Sequence, residues 1–114
     1  MTEYLHTKLV DTLKAHGINP ALSEDEKDVY PYVTFELPTE YRYDKDGPYK
    51  IVGNLTIRTV SDDFDQADTI RASIEAAIGE GFTAPYSARL TDVRKDCMDG
   101  IWVIELDYIL NQYE

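Results

Sequence analysis

The chain has 114 residues, expected to form one domain that buries roughly two-thirds of the surface its unfolded form would expose. Twenty-two acidic against eleven basic residues give a formal charge of -11, which repels phosphate backbones and anionic bilayers and argues against direct nucleic-acid or membrane-surface binding. A lone cysteine, Cys97, has no partner for an internal disulfide, and no segment approaches the ~18 apolar residues of a bilayer span.

The N-terminus, MTEYLHTKLV, has neither the basic flank nor the apolar run of a signal peptide, so folding in a reducing cytoplasm is expected. Leu5, Leu9, Val10 and Leu13 then form an apolar stripe over Glu3 to His16, with Thr2 placed to cap a first helix and Gly17 to end it. INPALSEDEKD follows without periodicity and reads as a solvated connection. From Val29 to Leu37, Val33, Phe35 and Leu37 alternate with Tyr32, Thr34 and Glu36, which predicts a strand opened by Pro31. PTEYRYDKDGPY reads as a long polar bridge with an Asp46-Gly47 turn.

The hydrophobic period changes once within KIVGNLTIRTVSDDFDQADTIRASIEAAI. Ile51, Leu55 and Ile57 recur at even spacing, as in a half-buried strand; Ala67, Ile70, Ile74, Ala77 and Ile78 recur at helical spacing. Between them the acids of SDDFD suit a helix start near Asp63, and Gly79 and Gly81 suit its end. Ala84 to Lys95 reads as a third strand in which Tyr86, Ala88 and Leu90 keep one phase and Val93 takes the other, a slip that a bulge would explain. Asp99-Gly100 reads as a hairpin turn into a last strand, Ile101 to Leu110. That strand has Trp102, Ile104, Leu106, Tyr108 and Leu110 on a core face and Ile101, Val103, Glu105, Asp107 and Ile109 on the other. Three aliphatic residues around two acids imply partial cover by another chain, although β-branched residues also occur in strands for conformational reasons alone. The expected architecture is α+β, in the order α-β-β-α-β-β, with a four-stranded mainly antiparallel sheet and two helices on one face.

Nothing in the chain assembles into catalytic chemistry. His6 and His16 stand nearly three helical turns apart and cannot share a metal. Acids at Asp96 and Asp99 disfavour a nucleophilic Cys97, which reads as a buried or idle thiol. Asp44, Asp46 and Gly47 fail the register of a calcium loop, because Leu55 falls where its bidentate glutamate belongs. Asp62, Asp63 and Asp65 are explained by helix capping, and the glycines form no phosphate-cradling run. No enzyme, cofactor or metal is expected. Nine tyrosines against three phenylalanines and one tryptophan suit partly covered surfaces, since a tyrosine joins an apolar ring to a polar tip.

Taken together, the N-terminal amphipathic helix, PYVTF at Pro31 to Phe35, NLTIRTVSDDFDQADTIRASIEAAI and DGIWVIELDYIL resemble the small tail-terminator and head-tail-joining proteins of long-tailed bacteriophages, over Leu5 to about Leu110. The resemblance implies a structural virion protein of the tail end or neck, assembled in the host bacterial cytoplasm. Such a protein forms a ring of itself, usually six-membered, that caps the tail tube and docks the head-completion or neck protein, while DNA passes through its channel without specific binding. No residue roles carry over. For contacts, the residues nominated are the expected hairpin tip, Tyr41, Arg42, Tyr43, Asp44, Lys45, Asp46 and Tyr49, and the second face of the last strand, Ile101, Val103, Glu105, Asp107 and Ile109. The alternative is a soluble non-catalytic binding module, monomeric or dimeric, for a small partner.

Overall fold

In the computed structural model, residues 5–18, 30–44 and 47–113 are described, with the backbone alone at 43, 44 and 47–49. Among these residues two helices and five strands follow in the order α1 (Leu5–Ala15), β1 (Tyr32–Glu36), β2 (Thr39–Asp44), β3 (Gly47–Ser61), α2 (Phe64–Gly81), β4 (Tyr86–Met98) and β5 (Ile101–Tyr113). The strands form one antiparallel sheet in the order β1-β3-β5-β4, with β2 also pairing β3.

The sheet therefore has five strands, not the four expected, and the correction falls in the supposed polar bridge. Thr39–Asp44 pairs with the first half of β3, while β1 pairs with Thr56 to Val60 on the same edge. Pro38 has no N–H, but its carbonyl accepts from the Asn54 N–H at 3.0 Å, so the two short strands continue one after the other along β3. The pattern was hidden because Thr39 and Tyr41 alternate with Glu40 and Arg42, which favour a strand without forming an apolar face. Of the expected Asp46-Gly47 turn, Asp46 lies outside the described residues and Gly47 pairs with Asp44.

The centre of the sheet is the β3–β5 ladder, which runs unbroken from Lys50↔Tyr113 to Ser61↔Trp102. Alternation along it puts Leu55 and Ile57 on the same face as Ile104, Leu106, Tyr108 and Leu110, all buried. Leu5, Leu9 and Leu13 of α1 and Ile74, Ala77 and Ile78 of α2 join them in one core, so both helices lie on that face. The helix start is as expected: Asp63 has extended backbone angles, and its side chain accepts from the Asp65 N–H at 3.0 Å. Ser61 Oγ accepts from the Asp63 N–H and donates to Gln66, which ties the end of β3 to the first turn of α2.

The helix ends at Gly81, as expected, but neither Gly79 nor Gly81 takes left-handed angles, and α2 closes with the Phe82 N–H on the Ile78 carbonyl. Gly81 is needed for close approach: a Cβ there would lie 2.5 Å from Thr12 Cγ2, so the glycine lets α1 sit against α2. Just beside this seam, His16 Nε2 lies 3.0 Å from Glu80 Oε2.

The bulge expected in the third strand is present. The β4–β5 register shifts between Leu90 and Asp92, and the Thr91 hydroxyl donates to the Asp107 carbonyl at 3.0 Å. From Arg89 onward every residue of β4 is exposed, and this outer edge carries Arg89, Asp92, Arg94, Lys95 and Asp96. Asp99 (φ 54°) and Gly100 (φ 80°) make the turn into β5, both left-handed as a two-residue hairpin requires.

The helix seam makes two predictions. Gly81→Ala destabilises the fold by about 1–3 kcal/mol through overpacking against Thr12, and in a Thr12→Ala background the same change becomes neutral or stabilising; denaturant midpoints of the four proteins check this. The hydrogen bond to Glu80, then the Thr12 carbonyl, hold the His16 pKa above its ordinary 6.5. The pair therefore supports the fold below the unfolded imidazole's pKa, and that support is lost as pH rises through the folded value. In Glu80→Gln the His16 titration, followed by NMR, moves down.

Candidate interaction surface

Because both described helices cover one face of the sheet, the other face is, among the described residues, made of strand side chains. Ile101, Val103, Glu105, Asp107 and Ile109 all lie on it, as the alternation of β5 requires, and each is half-buried. Register then sets what each one meets. Val103 lies between Val60 and Asp96, Glu105 between Arg58 and Arg94, Asp107 between Thr56 and Asp92, and Ile109 between Asn54 and Arg89.

The centre of the face is a charged cluster around Glu105. Arg58 Nε donates to Glu105 Oε1 at 3.0 Å, Arg94 Nη1 lies 3.8 Å from Oε2, and the Glu105 side chain retains only 16% of its exposure. Arg94 also donates to Asp92 at 2.8 Å, which holds the Asp92 carboxyl below the usual carboxylate range. In turn Asp92 first, then Glu105 and Asp107, raise the Arg94 pKa. The cluster borders an open depression of about 510 Å³.

A second depression, of about 480 Å³, lies further along β5, with Arg42, Lys50 and Arg89 around Val52 and Ile109. Arg42 is paired with Glu40 at 2.6 Å, whereas Lys50 sits 5.6 Å over the Tyr113 ring. Neither Lys50 nor Arg89 has an acidic partner among the described residues. In a chain with twice as many acids as bases, this is a local excess of positive charge.

The nominated tip is only partly visible. Tyr41 is 48% exposed and Arg42 is exposed on β2; Tyr43, Asp44 and Tyr49 lie in β2 and β3 as backbone alone; Lys45 and Asp46 lie outside the described residues. The tip is therefore largely a continuation of the sheet rather than a loop. Sequence reasoning missed Lys50, Arg58, Arg89 and Arg94. The polar phase of β3 marked Arg58 as facing away from the core, but which strand it would face depends on pairing across distant sequence.

Of the buried or idle thiol expected at Cys97, burial is overturned: Cys97 is exposed, as is every residue of β4 from Arg89 onward. Asp63 is engaged as a helix cap, and among the described residues no three His, Cys, Asp or Glu side chains come together to hold a metal ion. No described helix is long and apolar enough to cross a membrane.

No protein-family model matches the sequence, and neither does any curated protein sequence. The fold is similar to that of a chain in a solved structure described as the virion of a native gene transfer agent (GTA) particle. The TM-score is 0.61 at 16% sequence identity, over 96% of this chain and 95% of that one. At that identity the likeness is one of fold.

The Glu105 cluster generates a prediction of its own. A double-mutant cycle on Arg58→Ala and Glu105→Ala should give a coupling of about 0.5–1 kcal/mol, reduced by high salt because Arg58 is partly exposed. Unfolding midpoints at low and high ionic strength measure it.

Proposed function

We propose that this chain is a structural protein of a phage-like virion, which forms a ring at the end of the tail tube and joins it to the head. The observation that carries this reading is the likeness of fold to a chain from a GTA virion, which extends over nearly the whole of both chains. The order of elements that resembles the tail-terminator and head-tail-joining proteins adds to it. So does the second face of the sheet, which offers charged and aliphatic contacts around Glu105 and Ile109.

The physical requirements of a ring agree with the chain's character. Closed rings of identical copies need two different surfaces per copy that fit each other at a fixed rotation. An elongated body, 53 Å by 25 Å by 24 Å, with a bare sheet face provides separate surfaces for this. A ring through which DNA passes also needs a wall that does not hold phosphate, and a net charge of -11 suits that wall. In this reading acids face the channel, the outer ends meet the tube and neck proteins, and the ring sits in the virion at the tail end or neck.

The test is direct. Electron micrographs and native mass spectra of the purified chain, alone and mixed with tail tubes, should show rings with a defined number of subunits. Tyr43→Ala with Tyr49→Ala should weaken that assembly while leaving the unfolding temperature of the monomer unchanged. A chain that stays solitary at high concentration and in the presence of tubes returns the reading to a monomeric binding module.

A further inference from the structure

The depression around Lys50 and Arg89 has an apolar floor and a basic rim. Val52, 5% exposed, and the half-buried Ile109 form its floor, and Arg42, Lys50 and Arg89 surround them. Among the described residues Glu40 offsets Arg42, so the excess of positive charge rests on Lys50 and Arg89.

The opposite end of the sheet has the inverse character. At the β4–β5 turn, Met98 is 71% exposed, the most exposed of the large hydrophobic side chains described. Asp96 and Asp99 flank it, and neither has a cationic partner among the described residues. Asp62, exposed at the end of β3 nearby, adds charge of the same sign. The tip is thus an apolar knob between acids, and the groove is an apolar hollow between bases.

Within one chain these features cannot meet. Ile109 beside the groove and Ile101 beside the tip stand eight residues apart on β5, about 27 Å at the rise of an antiparallel strand, well beyond the ~8 Å over which exposed charges act at physiological salt. Between copies they can, and because they are different surfaces they make a heterologous contact, the kind that closes a ring.

We infer that the groove of one copy receives the β4–β5 tip of a second copy, with Met98 against Val52 and Ile109 and the two aspartates beside Lys50 and Arg89. This rests on the self-assembling reading above and specifies which surfaces carry it. Contact through this pair is salt-sensitive, since its charges lie at an exposed rim.

A charge exchange on the full chain tests it, read by sedimentation and native mass spectrometry at about 0.05 M and about 0.5 M salt. The tip variant is Asp96→Lys with Asp99→Asn, asparagine being chosen because it tolerates the left-handed backbone at that position. The groove variant is Lys50→Glu with Arg89→Glu. Each variant alone should weaken self-association at least about tenfold, and the chain carrying all four changes should recover to within about threefold of the natural protein. A second arm does not depend on charge reversal: in a Cys97→Ser background, Met98→Cys with Asn54→Cys should form disulfide-linked oligomers on oxidation. Rings that persist unchanged in both charge variants, or cysteines that never link, overturn the inference and leave the ring reading standing. Loss of assembly in the groove variant alone means that the groove takes another acidic surface, which also overturns it. A natural chain that is solitary under every condition, tubes included, removes the ring reading and this contact with it.

Discussion

The structure depends on the unbroken pairing of β3 with β5. Each of these strands has a neighbour on its other side, so the pair lies inside the sheet, and every strand assignment elsewhere is referred to its register. One face of the pair is filled by Leu55, Ile57, Ile104, Leu106 and Leu110 and is closed by the apolar stripes of both helices. With α1 and α2 both used there, no element remains among those described to cover the other face. An uncovered sheet face among the described residues is thus a direct product of how the core is satisfied.

The bare face is neither a second core nor an ordinary wet surface. Val60 and Val52 are nearly buried on it by their own neighbours, Glu105 is held between two arginines, and aliphatic side chains alternate with these charges. Side chains held by cross-strand partners lose less freedom when a neighbour docks than free ones would, which favours recognition on a rigid sheet over recognition on a loop. The two depressions described on this face, of about 510 and 480 Å³, are both open to solvent.

Local features of the fold were legible in the residues. The period change across SDDFD placed the end of β3 and the cap at Asp63, the phase slip at Val93 revealed the bulge at Thr91, and Asp99-Gly100 marked its turn. Strand β2 was not legible, because tyrosines and charges alternate there without an apolar face, and pairing to β3 alone makes it a strand. Gly81 does mark the end of α2, but the close approach of Thr12 that requires a glycine there comes from a residue far away in sequence. The candidate surface divides in the same way. The β5 half followed from alternation within one strand, whereas Arg58, Arg89 and Arg94 entered through cross-strand register, which composition and periodicity do not encode.

The outer rim of β4 bears on the kind of polymer this chain can make. A long flat strand with unpaired amides and carbonyls invites another strand to zip onto it, and repetition of that event yields fibres of unlimited length. Here the kink at Thr91 breaks the flat run, and strands that zipped on would have to desolvate the exposed charges of Arg89, Asp92, Arg94, Lys95 and Asp96. Backbone-to-backbone stacking is thereby discouraged, so this rim works against open-ended fibres.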